Sequence, residues 1–170
     1  IRKAFTFNPR LSNRKTKEMS EQIDHDENAV SIHVRRGDYL EPKYWKTTGC
    51  VCQLPYYLNA ITEMNKRISQ PSYYVFSDDI AWVKENLPLP KAFFIDWNKG
   101  AESWQDMMLM SRCRHHIICN STFSWWGAWL NPRENKTVIM PERWFRHCET
   151  PDICPDKWIK VPINQPDSIQ

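Results

Sequence analysis

The chain has 170 residues, 41% hydrophobic and 25% charged, which fits one globular domain and excludes a disordered or fibrous protein. Its formal charge of +3, with no run of five like charges, gives no support to nucleic-acid binding, although a small anion needs only a few local cations. No stretch approaches the ~20 apolar residues of a membrane helix, and the opening IRKAFTF is no signal peptide but reads as the middle of a longer chain.

Short apolar runs alternate with helical stretches, the pattern of a parallel α/β sheet. Residues 8–28 predict a polar helix with Leu11, Met19 and Ile23 as its apolar positions, although its basic residues come first, against the dipole preference. AVSIHV at 29–34 predicts the first strand, and a loop punctuated by Pro42 and Gly49 follows it. Pro55 opens a helix with a stripe of Tyr57, Ala60, Ile61, Met64 and Ile68. A strand at 72–76 leads to Ser77-Asp78-Asp79, which caps a short helix running to Asn86. Residues 91–95 predict a third strand, and 102–113 a helix weighted by Trp104, Met107, Met108 and Met110. A fourth strand at 116–119 turns at Asn120-Ser121-Thr122 into a helix that Asn131-Pro132 stops. A fifth strand follows at 137–140, and the Pro-rich segment 141–170 reads as a return segment. The expected fold is one Rossmann-like domain over 1–170.

The six cysteines form no CxxC pair, and Cys50 and Cys52 are separated by a single residue, so a zinc site has no basis. Cys113 and Cys119 suit buried free thiols, whereas Cys148 and Cys154 flank a loop that a small disulfide could close in an oxidising compartment. Free thiols in a reducing compartment are the preferred reading. The nine tryptophans suit sugar-binding surfaces, but core packing is their commoner use.

Three polar clusters fall at successive strand ends, where ligands of parallel α/β sheets bind. The first is Arg35-Arg36, whose guanidinium forks can hold phosphate oxygens and stabilise a pyrophosphate leaving group without a metal. Surface arginines with Asp38 as a turn residue are the plainer alternative. Arg36-Gly37-Asp38 also spells an adhesion tripeptide, a short match that is common by chance. The second cluster is Ser77-Asp78-Asp79, where a carboxylate can accept from a ribose or from the N–H edge of guanine, hold Mg²⁺, or simply cap a helix. The third is Asn120-Ser121-Thr122-Phe123-Ser124, whose hydroxyls and free helix N–H groups make an anion cradle. Taken alone, an ordinary helix cap by Asn120 or Ser121, with both tryptophans in the core, is the better explanation. Asn120-Ser121-Thr122 is a formal glycosylation sequon, discounted because the flanking apolar strand points these residues into a cleft. His33 reads as a buried histidine that positions the arginine loop, and His115 and His116 as structural. Neither a P-loop, nor GxGxxG, nor a Ser-His-Asp order is present.

His33-Val34-Arg35-Arg36-Gly37-Asp38 resembles the HxRRxD motif of α-1,2-, α-1,6- and O-fucosyltransferases. Ser77-Asp78-Asp79 with Trp82 looks like their second shared block. HIICNSTFSWWGAW at 116–129 is similar to the third, in the form of the α-1,2 group, glycosyltransferase family 11. The resemblance implies the donor-binding half of a GT-B fold and inverting transfer of L-fucose from GDP-β-L-fucose to the 2-hydroxyl of a galactoside, with no metal or other cofactor. It implies that Arg35 and Arg36 hold the donor pyrophosphate, with His33 and Asp38 supporting the loop. Ser77, Asp78 and Asp79 would serve the nucleoside side, and Asn120, Ser121, Thr122 and Ser124 the phosphates. Asp38 and Glu41 are the nearest candidate bases. The motif normally lies well inside the chain, so the acceptor-binding N-terminal domain is expected to be absent here. A bacterial cytoplasmic enzyme, brought to the membrane by a lipid-linked acceptor, is the expected setting; a Golgi enzyme would need an upstream anchor. An inactive nucleotide- or carbohydrate-binding module and a protein O-fucosyltransferase are the alternatives, and NSTFSWW argues against the latter.

Overall fold

The computed structural model describes residues 4–45, 47–49 and 51–163; Cys50, the first three residues and 164–170 of the expected return segment lie outside them. Six strands, β1 (Ala29–Val34), β2 (Ser72–Ser77), β3 (Ala92–Ile95), β4 (His115–Ile117), β5 (Val138–Pro141) and β6 (Ile159–Val161), form a parallel sheet ordered β3-β2-β1-β4-β5-β6. The chain builds outward from β1 to one edge, then restarts on the other side of β1 with β4. That reversal opens a crevice at the carboxyl ends of β1 and β4, the ligand position of Rossmann-like α/β sheets.

Five helices cover both faces: α1 (Arg14–His25), α2 (Leu54–Arg67), α3 (Ile80–Asn86), α4 (Trp104–Arg112) and α5 (Thr122–Leu130). Val30, Ile32 and Val34 of β1 pack with Tyr56, Tyr57, Ala60, Ile61 and Met64 of α2 and Val83 of α3. On the opposite face Tyr74 and Phe76 of β2 meet Ile23 of α1 and Leu109 and Met110 of α4, and Ala128 of α5 packs with Ile118, Val138 and Met140. Burial on both faces explains why β2 reads as a near-continuous apolar run, whereas β1 alternates Val30, Ile32 and Val34 with buried, partnered Ser31 and His33. Gly127 lets α5 approach α4, since a Cβ there would lie 2.9 Å from Cβ of Met110.

Buried His116 pins the central strands. Asn131 Nδ2 donates to its Nε2 at 2.8 Å, so the ring proton sits on Nδ1 and donates to Ser31 Oγ at 2.8 Å. Burial holds its pKa well below the ordinary value, and the ring stays neutral. The histidine is structural, as its position just before an apolar run suggested.

Two elements differ from expectation. The helix expected over 8–28 is split: Pro9–Leu11 make a 3₁₀ turn, and α1 starts after Asn13, whose side chain accepts the Thr16 N–H. Leu11 is consequently 71% exposed, while Ile23 is fully buried. The segment after β5 is more than a return: Ile159–Val161 add a sixth parallel strand to β5. At three residues, after a Pro-rich loop, it carries too little pattern to announce itself. The described cysteines, Cys52, Cys113, Cys119, Cys148 and Cys154, are free thiols, with Cys113 and Cys119 buried; the disulfide alternative for Cys148 and Cys154 is not taken.

Candidate functional site

The register of β1 and β2 builds the site. Val34 lies opposite Ser77, so the residues that follow each strand, Arg35-Arg36 and Asp78-Asp79, emerge side by side at the same level. Asp78 bridges the pair: its Oδ1 accepts the Arg36 backbone N–H at 2.9 Å and its Oδ2 lies 3.2 Å from Nη1 of Arg35. A Cβ at Gly37 would approach Asp78 Oδ2 to 2.5 Å, so the loop needs glycine there to close over the carboxylate. Nη2 of Arg35 forms an ion pair with Asp38 at 2.8 Å, without the alignment of a directed hydrogen bond. Arg36 is fixed by Asp79, which takes its Nε at 3.1 Å, and by Trp82, whose ring centre lies 3.9 Å beneath the guanidinium.

Ser77 and Asp79 also serve the backbone. Ser77 Oγ accepts the Asp79 N–H, and Asp79 Oδ1 caps α3 by accepting the Trp82 N–H at 3.0 Å. The structure thus brings the first two sequence clusters together as one ridge, with Asp78 and Asp79 turned to the arginines. Exposed ion pairs of this kind are individually worth ~0–1 kcal/mol, so their effect here is orientation. Three carboxylates face two guanidiniums, leaving the empty ridge one negative charge in excess. Asp38 is the least anchored of the three, since Asp78 and Asp79 each also accept a backbone N–H.

The third cluster divides. Asn120 is 2% exposed; its Nδ2 donates to the carbonyls of Thr48 and Trp144 at 2.8 and 3.1 Å, and its own carbonyl accepts from Tyr39 Oη at 3.2 Å. It clips the arginine loop to β4 instead of facing the cleft, and its buried amide is closed to glycosylation in the folded state. Ser124 is also buried and donates to the Ser121 carbonyl at 3.1 Å, within its own helix, away from the position expected for a phosphate ligand. Ser121 remains on the cavity wall, and Thr122 is exposed. Trp125 is the first residue of α5 whose N–H reaches a carbonyl of the helix start, that of Ser121, so among the described residues the N–H groups of Thr122, Phe123 and Ser124 have no partner, in the way helix starts dictate.

Between these walls lies a cavity of about 860 Å³. Arg35, Asp38, Ser77 and Asp78 line one side and Ser121 and Phe123 the other, and the cavity continues past the end of β3 to Asn98, Lys99 and Asp106. Burial pushes the Asp106 carboxyl up to about 7, while the Asn98 Nδ2–H, 2.7 Å from its Oδ1, pulls the other way. Asn98 also meets Thr16 and Asn13, tying the start of α1 to the β3–α4 loop. Sequence reasoning missed this end. The available signal was the polar run Asp96-Trp97-Asn98-Lys99 after the third strand, a fourth cluster at a fourth strand end.

His33 lies on the cavity floor, its Nδ1 3.2 Å from Cys119 Sγ. Burial, with Arg35 adding repulsion, pushes its pKa down to about 3, so it is a neutral spacer under the arginines and no proton donor near neutrality. Arg36 does not line the large cavity. It faces a second recess of about 320 Å³ behind the ridge, whose walls include Arg35, Tyr39 and Trp82. Among the described residues no three His, Cys, Asp or Glu side chains converge as a metal site, and no helix is long and apolar enough to cross a membrane.

Residues 2–161 match the family model described as Glycosyl transferase family 11. The chain is 37% identical over 159 residues to an α-1,2-colitosyltransferase of Escherichia coli, covering 91% of this chain and 54% of that protein. It is 36% identical over 140 residues to the O-antigen biosynthesis glycosyltransferase WbnK of Escherichia coli, covering 82% and 46%. With galactoside α-(1,2)-fucosyltransferase 1 of Saimiri boliviensis boliviensis the identity is 35% over 105 residues, 59% of this chain and 28% of that protein. The chain spans about half the length of the two bacterial relatives. The arginine ridge, the crevice at the β1–β4 reversal and the start of α5 all fall inside the matched segment, and the chain belongs to glycosyltransferase family 11.

Proposed function

We propose that this domain is the donor half of a GT-B enzyme that transfers L-fucose from GDP-β-L-fucose to the 2-hydroxyl of a galactoside, with inversion and without a metal. The observation that carries the reading is Arg35, pinned by Asp78 and Asp38 at the wall of an 860 Å³ cavity whose opposite wall is the start of α5. The donor pyrophosphate lies between them, with Arg35 and the helix start as its ligands. It displaces Asp38, the least anchored carboxylate, from Arg35. As the acceptor oxygen attacks the anomeric carbon, the bond to the β-phosphate oxygen breaks and its electron pair passes to the phosphate. Fixed guanidiniums are worth most at that charge. The acceptor proton passes to a carboxylate, a role that Asp38, lining the same cavity and freed by the donor, would take.

The guanine lies at the far end, where the Asp106 carboxylate accepts from its ring N–H and amino group. This moves nucleoside recognition from Asp78 and Asp79, which the arginines occupy, to Asp106. A second domain completes the cleft and holds most of the acceptor glycan. The O-antigen relative supports a cytoplasmic setting in a bacterium, with a lipid-linked acceptor drawing the enzyme to the membrane surface. A second reading replaces fucose by colitose, a fucose lacking one ring hydroxyl, because a colitosyltransferase matches 91% of the chain. Turnover with the two sugar nucleotides side by side separates these readings.

Calorimetric titration of the protein with GDP and GDP-fucose, without added metal, tests the donor site. Saturable binding is expected, and Arg35→Ala should weaken it by ~2 kcal/mol, the scale of a charge-assisted phosphate contact. Equal affinity in the variant would sink the assignment.

A further inference from the structure

We infer that the recess of about 320 Å³ behind the arginine ridge is the subsite for the acceptor's reacting pyranose ring. The inference rests on the donor reading above and adds to it where the second substrate sits.

Position is the first argument. Arg35 and Tyr39 line both the recess and the large cavity, so ligands in the two meet at the arginines. A displacement needs the attacking oxygen in contact with the carbon whose bond to phosphate breaks, and that bond ends at the guanidiniums. A ring seated in the recess can present a hydroxyl at Arg35 and Tyr39, the two residues that line both spaces. The proton of that hydroxyl leaves toward Asp38, which lines the large cavity beside Arg35.

The chemistry of the walls is the second argument. Leu40, Leu54 and Trp82 supply apolar surface for the C–H faces of a sugar, and the Asn86 amide can meet its hydroxyls. Among the described residues its only charged walls are Arg35 and Arg36, whose charges Asp38, Asp78 and Asp79 already balance, so the recess suits a neutral ring. Its volume lies at the bottom of the ~300–1,000 Å³ range of ligand pockets, room for one ring and too little for a sugar nucleotide. The walls are also held: Asn86 Nδ2 donates to the Trp82 carbonyl at 2.9 Å, and Arg36 and Tyr57 pack on the Trp82 ring. The recess is therefore formed before any sugar arrives.

Leu40→Trp and Asn86→Ala in the full-length protein test this. Leu40 is 46% exposed, so the larger side chain fills the recess without entering the core, and Asn86→Ala removes a hydroxyl partner without adding bulk. Steady-state kinetics should show the acceptor KM rising at least tenfold in Leu40→Trp and threefold or more in Asn86→Ala, while calorimetric affinity for GDP-fucose stays within twofold. An unchanged acceptor KM in both variants overturns the inference and leaves the donor site standing. A selective loss of affinity for GDP-fucose, with GDP binding kept, also overturns it, because the recess would then hold the donor's sugar. Failure of the unsubstituted protein to bind GDP overturns both readings.

Discussion

Arginines and acids pair at both ends of this sheet, and only one end makes a site. At the amino-terminal side Arg112 holds Asp24 through two nitrogens, and Arg114 pairs with Glu27 at 2.8 Å and donates to the Asp24 carbonyl. These contacts join the end of α1 to the end of α4. At the carboxyl side Arg35 and Arg36 pair with Asp38, Asp78 and Asp79 at similar distances. Pairing chemistry does not distinguish the two clusters. Their surroundings do: Arg35 and Arg36 stand where β1 and β4 diverge, with an 860 Å³ cavity on one side and a recess on the other. The lesson is that an arginine's partners reveal little about its role, whereas its place relative to the strand ends reveals much.

The sharpest way to break the comparison is to delete an arginine from each end. Arg35→Ala should lower transfer by about 10²–10³-fold, the usual loss when a fixed donor to developing charge is removed, with GDP binding weaker as well. If activity survives, the two clusters are alike and the site lies elsewhere.

Asp38→Asn sharpens it next, by separating the competing anion from the base. Relieving the excess negative charge should tighten GDP binding by about 1 kcal/mol, while transfer falls by ~10²-fold or more through loss of the proton acceptor. Weaker GDP binding would show that Asp38 supports the ridge and does not compete at it.

A pH series examines the far end of the cavity. Burial raises the Asp106 carboxyl to about 7, and in the proposed role it would accept from guanine only when ionised. Affinity for GDP should therefore climb by up to about tenfold per pH unit from pH 5.5 toward 7, equivalent to ~1.4 kcal/mol per unit, and level off above it. Asp106→Asn should flatten that climb; a variant retaining the same pH dependence assigns the titration to another group.

The smallest effect belongs to the structural end. Arg112→Ala should cost ~1 kcal/mol of stability in denaturant unfolding and leave GDP affinity unchanged. A loss of affinity there would show that the two ends are coupled through α4, which also carries Asp106.

Much of this was legible from the chain. The positions of β1 to β5 follow from short, largely apolar runs, because strands covered on both faces carry few polar residues and, as with Ser31 and His33 of β1, give those partners. Arg35-Arg36 and Ser77-Asp78-Asp79 stood out because polar clusters directly after such runs lie at strand ends. Asp106 did not, since within a helix of Trp104, Met107 and Met108 a lone carboxylate reads as a solvated position, and only the β3–α4 connection brings it to the cavity. Asn120 and Ser124 show the converse. Both have the right type and place for anion binding, yet Asn120 is consumed by the Thr48 and Trp144 carbonyls and Ser124 by its own helix turn.

The sequence by itself determined the α/β class, the family and the ends of the strands at which chemistry collects, because these depend on local periodicity and on blocks of adjacent residues. Tertiary structure decided which of those polar groups face a ligand. The β1–β2 register turned two separate motifs into one charge-locked ridge, the packing of α4 carried Asp106 into the cavity, and the loops around 48 and 144 drew Asn120 inward. Each outcome is a contact between residues distant in the chain, and a hydrogen bond across such a distance leaves no periodic trace in the order of the amino acids.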